Sequence, residues 1–239
     1  MRLKAKWGDM MRFPEGRMKA FTLSYDDGVE QDRRLVEILN KYHLKCTFNL
    51  NSGIQNNSDQ FEINGLTIQR MNKAGLRELY EGHEIAVHSL THPDLPRLST
   101  EMIQNEIARD KENLENIFGH HVVGMAYPYG TYDDRVIQVL KDNGIKYART
   151  VQETENFKLQ SDLLEFKATC HHNSKNLMQL AEEFIQLDAT EPSIFYVWGH
   201  SYEFDVDGTW GMLEEFCARI SNKRDIFYGT NSEVLLCSE

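Results

Sequence analysis

The chain has 239 residues, 41% of them hydrophobic, which is enough to bury a sizeable core and excludes a disordered polymer. Its formal net charge of −11 repels phosphate backbones and anionic lipid, so neither nucleic acid nor a membrane surface is an expected partner. No stretch approaches the ~20 apolar residues of a membrane span, and the basic start of the chain, interrupted by Asp9, Pro14 and Glu15, holds no signal-peptide core, so a cytoplasmic location is expected.

In chain order, residues 20–25 form a compact apolar run that reads as a buried strand, and residues 33–42 a helix with Asp32 as its N-cap. A second strand spans 45–50, followed by a polar loop over 51–65 and a helix predicted over 67–81 despite Gly75. Residues 84–87 are a short strand, 100–118 a long amphipathic helix, 122–126 a strand, and 133–143 a helix closed by Gly144. Strands follow at 145–148, 165–169 and 193–198, with helices at 176–187 and 210–220 and a last short strand over 225–228. This alternation, repeated about seven times, predicts an α/β fold with a parallel sheet in one domain over 1–239, its core at about 20–230. Polar and ionisable residues gather just after the strands. That favours a (β/α) barrel over an open doubly wound sheet, for which no GxGxxG or phosphate-loop fingerprint is present. Cys46, Cys170, Cys217 and Cys237 lack CxxC spacing and read as reduced, mostly buried thiols.

Three strand ends carry the chemistry. Tyr25-Asp26-Asp27-Gly28 supplies adjacent carboxylates, which point to opposite sides of an extended backbone, so one can face a metal and the other a substrate. His88-Ser89-Leu90-Thr91-His92 supplies two imidazoles four apart, and Pro93 favours a tight turn over a helix there. Trp198-Gly199-His200 ends a strongly apolar strand with an imidazole suited to proton donation. Together they offer one divalent metal site with open positions, a base and an acid, as a metal-assisted hydrolase needs.

These pieces resemble the polysaccharide deacetylases, carbohydrate esterase family four, also called the NodB-homology domain. Ser24-Tyr25-Asp26-Asp27-Gly28 is similar to the family's first motif and His88 to His92 to its second. Ala126-Tyr127-Pro128-Tyr129-Gly130 is similar to the third except at its first position, and Val197-Trp198-Gly199-His200 to the last. The resemblance implies a distorted (β/α) barrel of about seven strands and removal of acetyl groups from an N-acetylated amino sugar or its polymer. It also implies that Asp27, His88 and His92 bind the metal, usually zinc and sometimes cobalt or nickel. Asp26 would be the base that activates the attacking water, Tyr129 the backbone donor to the oxyanion, and His200 the acid. O-deacetylation of a carbohydrate ester and a binding module without turnover are the rival readings. The chain departs from the family at Ala126, where an Arg that orients the base is usual, and Arg149 is the candidate replacement. Tyr127, Trp198 and His171 are candidates for touching the substrate.

Overall fold

The computed structural model describes residues 13–56 and 58–237; the reading of the basic N-terminal stretch falls, for residues 1–12, outside the described residues. Strand β1 (Lys19–Asp26) is buried at all eight positions, as a strand covered on both faces must be. It is followed by α1 (Asp32–Lys41), β2 (Thr47–Leu50), β3 (Gln60–Ile63), β4 (Leu66–Gln69), α2 (Leu76–Leu79), β5 (Glu84–Val87), α3 (Thr100–Phe118) and β6 (Gly124–Ala126). The second half comprises α4 (Asp134–Asp142), β7 (Tyr147–Glu153), β8 (Phe166–Ala168), β9 (Cys170–His171), α5 (Leu177–Gln186), β10 (Ser193–Gly199), α6 (Glu203–Val206), α7 (Trp210–Ile220), β11 (Ile226–Tyr228) and α8 (Asn231–Leu235).

The main sheet runs β8-β7-β6-β5-β2-β1-β10-β9, every pairing parallel, with β11 added beside the start of β1. Only Thr169 separates β8 from β9, so one bent segment pairs with β7 through its first half and β10 through its second. The two ends of the sheet meet there, and the distorted α/β barrel expected from the sequence is the fold. Alternation along β10 divides the core. Ile194, Tyr196 and Trp198 join Tyr147, Phe166, Val234 and Leu235 inside the barrel, while Phe195 and Val197 pack outward under the helices. Gly124 has a local reason: a Cβ there would overlap the Tyr147 ring.

The segment predicted as a helix over 67–81 is different. Residues 60–69 form an antiparallel hairpin, β3 and β4, and the helix is reduced to the short α2. The hairpin turns on Asn64 and Gly65, with φ 50° and 81°, and Leu66-Thr67-Ile68-Gln69 alternates with period two. Gly75, at φ 88°, then holds off the helix until Leu76. The hairpin pairs back onto the loop after β1 through Glu30 N–H to Gln69 O and Met71 N–H to Gly28 O. Cys46, Cys170 and Cys217 are buried and all four thiols are free. No helix among the described residues is long and apolar enough to cross a membrane, and the expected cytoplasmic location has no support in the fold.

Candidate active site

The C-terminal ends of β1, β5 and β10 bring the three sequence pieces to one rim. Asp27, His88 and His92 each place a ligand-type atom within 4.8 Å of the others. The Nδ1 of His88 lies 2.7 Å from the Ala126 carbonyl, which can only accept, so Nδ1 carries the proton and Nε2 keeps its lone pair for the site. Burial lowers the pKa of both imidazoles, His88 to about 4, so both are neutral, as metal ligands must be. Burial would raise the Asp27 carboxyl, but Arg70, His200 and the two imidazoles override it and hold it at about 2. Arg70 donates to Asp27 Oδ1 at 3.1 Å and to the Asp27 carbonyl at 2.7 Å. One ionised carboxylate and two neutral imidazoles fit a divalent cation with open positions.

The backbone here is held in an unusual state. Asp27, Ser89, His92 and Tyr129 all have positive φ, between 56° and 83°, a conformation that costs ~1–3 kcal/mol for a residue with a side chain. Buried polar contacts fix it. Asn51 donates to the Ser89 carbonyl at 2.9 Å, His92 N–H to Ser89 Oγ at 3.1 Å, and His88 N–H to Asp110 at 3.1 Å.

Asp26 faces the barrel interior. Asn49 donates to its Oδ1 at 2.8 Å, and Arg149 donates to its Oδ2 across a pair in which both side chains are almost fully buried. Burial would raise this carboxyl; Arg149 leads the interactions that instead lower it, so Asp26 is ionised and able to accept a proton. Arg149 lies within β7 and not at a strand end, and its register partner on β6 is Ala126. The cation beside Asp26 thus comes from the residue opposite Ala126 on the next strand. The guanidinium also lies over the Trp198 ring, 4.3 Å from its centroid.

His200 Nε2 is 3.9 Å from Asp26 Oδ2, and its Nδ1 is 3.4 Å from Glu203 Oε1. Burial opposes its charge, but Glu203, Asp26 and Asp27 outweigh burial and raise its pKa to about 9. His171 and His172 do not reach toward the metal-ligand group; both converge on Glu203, at 3.2 and 3.0 Å.

All three substrate candidates are engaged elsewhere. Tyr127 is 1% exposed, donates its hydroxyl to the Leu164 carbonyl at 2.8 Å and stacks on Tyr132, so it is a core residue with no face for a sugar. His171 spends Nε2 on Glu203. Trp198 is 7% exposed and serves as the floor under Arg149. Tyr129, by contrast, is 63% exposed and sets its ring against His92 at 4.6 Å. Glu203, Arg70 and Asn49 were not foreseen. Glu203 had one available signal, its place three residues after His200 in the turn that starts α6.

A closed parallel α/β barrel with a carboxylate–imidazole site at its C-terminal rim is the class these features define. Residues 14–148, over half of the chain, match the family described as Polysaccharide deacetylase, and the chain belongs to that family. It is 27% identical over 147 residues to the peptidoglycan-N-acetylglucosamine deacetylase PgdA of Listeria monocytogenes, covering 60% of this chain and 28% of that protein. It is 25% identical over 158 residues to the poly-beta-1,6-N-acetyl-D-glucosamine N-deacetylase of Staphylococcus epidermidis, covering 62% and 52%. The matches thus span about a quarter and about half of those relatives. Among solved structures, the chitin deacetylase of the fungus Colletotrichum lindemuthianum superposes with a TM-score of 0.60 at 21% identity, over 92% of this chain and 88% of that one. At that identity the likeness speaks for the fold.

Proposed function

We propose that the protein is a metal-dependent hydrolase that removes the acetyl group from an N-acetylated amino sugar or its oligomer, with residues 1–239 acting as one catalytic unit. The observation that carries this reading is the coexistence, at one rim, of an Asp–His–His group with a second carboxylate and a third imidazole beside it. The names of the relatives, deacetylases of peptidoglycan and of poly-N-acetylglucosamine, support a carbohydrate substrate. Asp27, His88 and His92 would hold the cation, zinc by preference and cobalt or nickel otherwise. When bound, such a cation supplies a Lewis acid that polarises the acyl carbonyl and acidifies water.

The chain's own residues would do the rest. Asp26, oriented by Arg149 and Asn49, accepts the proton of the attacking water as its oxygen bonds to the acyl carbon. The backbone N–H of Tyr129 donates to the oxyanion, a contact type worth ~3 kcal/mol when removed. The C–N bond then breaks, His200 gives its proton to the departing nitrogen, and acetate and the free amine leave. The test is acetate release by the zinc-loaded protein from N-acetylglucosamine oligomers and from acetylated xylan. Acetate from the oligomers is expected. Release from the xylan alone would make the protein an O-acetyl esterase, and release from neither would overturn the reading.

A further inference from the structure

Beside the proposed metal ligands lies a second convergence of metal-type side chains, His171, His172 and Glu203, with one ligand-type atom from each within 4.8 Å of the others. The hydrogen bonds on the far side of each ring decide what this cluster can do. The Asn173 backbone N–H donates to His171 Nδ1 at 3.1 Å. A backbone N–H has no lone pair, so Nδ1 is the acceptor nitrogen, and neutral His171 carries its proton on Nε2. That Nε2 lies 3.2 Å from Glu203 Oε2 and offers a donor, not a lone pair. A cation bound there would force the ring proton onto Nδ1, against the Asn173 N–H.

His172 is built into the same arrangement. The Tyr25 hydroxyl lies 3.2 Å from its Nδ1, and its Nε2 lies 3.0 Å from the same Glu203 oxygen. Its ring stacks between Tyr25 and Phe204, and it lies so close over Gly199 that a Cβ at that position would overlap it. The His200 backbone N–H donates to Glu203 Oε2 as well, at 3.2 Å. One backbone N–H and two imidazole nitrogens therefore converge on one carboxylate oxygen, and the other oxygen faces His200 Nδ1. Both His200 Nδ1 and His172 Nε2 are buried and complete no hydrogen bond among the described residues, so Glu203 meets them as a charge at ion-pair distance.

Resting on the reading of His200 as the proton donor, we propose that His171 and His172 are a clamp, not a second metal site, and that the clamped Glu203 is the positioning residue for His200. With Oε2 held by the His200 N–H and flanked by both imidazoles, Glu203 is fixed and ionised, and its Oε1 faces the His200 ring with Nε2 turned toward Asp26 and the substrate side. The charged and titratable groups acting on His200 are then Asp26 from β1, Glu203 from α6, His171 from β9 and His172 just after it, with Tyr202 against its ring and Asp27 and His92 acting from the loops after β1 and β5.

The experiment uses the full, zinc-loaded chain, with Glu203→Gln and His171→Gln as variants; the His171 side chain is 17% exposed, so its replacement keeps the test open if the Glu203 variant fails to fold. Zinc stoichiometry is expected to be one equivalent in all three proteins. The titration midpoint of His200, followed by imidazole 15N shifts, is expected to fall by about one pH unit or more in Glu203→Gln and by less in His171→Gln. For an N-acetylated amino sugar, kcat in Glu203→Gln is expected to fall by ~10–100-fold with KM nearly unchanged, while 4-nitrophenyl acetate, whose leaving group needs no proton, changes by less than about 3-fold. A second zinc equivalent that His171→Gln abolishes would overturn the clamp, as would a His200 midpoint unmoved by Glu203→Gln. A wild-type protein that releases acetate from nothing would break the proposed function instead, and the zinc count and His200 midpoint would still decide the clamp.

Discussion

Asp27, His88 and His92 come from two loops, those after β1 and β5, and each loop is a short sequence string held at positive φ by buried hydrogen bonds. The groups around Asp26 and His200 come from β1, β2, β7, β9, the turn after β10 and α6, and apart from His171-His172 and Glu203 three residues after His200 they are scattered along the chain. A metal would fix distances and donor types, so a proposed ligand set belongs in tight local motifs. A proton donor or acceptor needs only a charge of the right sign at the right atom, and any strand that reaches that atom can deliver it. Arg149 reaching Asp26 from the register partner of Ala126 is one such delivery, and Glu203 reaching His200 from the following turn is another.

The largest expected effects separate the two halves. His88→Ala should lose both zinc and acetate release, by more than the ~10–100-fold that outer partners of a metal ligand typically cost. Metal analysis beside a rate assay checks this, and full zinc content with full loss of rate would place His88 among the proton-handling groups. Asp26→Asn should lower kcat by about 10²–10⁴-fold while zinc content stays at the wild-type level. If zinc disappears with it, the division between the acidic neighbours is wrong and Asp26 is a ligand as well.

Arg149→Ala is the next step down. It leaves Asp26 buried with one partner fewer, which should cost about 3–5 kcal/mol of unfolding free energy as well as rate. Urea unfolding and kcat together read both. The sharper version adds Ala126→Arg to Arg149→Ala, which returns the cation to the opposite strand position. That double variant should recover part of the lost kcat. A double variant no faster than Arg149→Ala would mean that the Arg149 contact over Trp198 matters more than its charge.

The same contrast explains what the sequence disclosed. The barrel was legible because apolar runs alternate with helix patterns, and each run ends in polar residues. Asp27, His88 and His92 were legible because local spacing defines them. Glu203 was not, because a lone Glu in a turn has no pattern until His171 and His172 arrive on it from another strand. Tyr127 was misread because its string matches a motif whose neighbours are at the rim, while its own side chain alternates into the core. The hairpin over 60–69 was hidden because its first strand and Asn64-Gly65 turn lie in a polar stretch that reads as loop over 51–65, and its second strand carries apolar spacing that a helix and a strand share in a short run.

Asp32 joins the two halves and gives the smallest of these effects. It begins α1, just after the loop that carries Asp27, and it accepts from Ser201, next to His200, at 2.5 Å and from Tyr80 at 2.6 Å. Burial raises its pKa from 3.8 to about 7, more than the hydrogen bonds from Ser201 and Tyr80 lower it. The folded protein then holds a proton between those two values that the unfolded chain has released. The stabilisation is fully present below pH 3.8 and is lost as pH rises through about 7, opposite in sign to that of Asp27. Asp32→Asn, which cannot ionise, should remove this decline, so its stability relative to wild type should improve between pH 5 and 8 by ~2–3 kcal/mol. Urea unfolding at the two pH values checks it. An unchanged difference would mean that Asp32 is ionised throughout and ties the His200 turn to α1 as a charged acceptor, which would strengthen the link between the halves and leave it insensitive to pH.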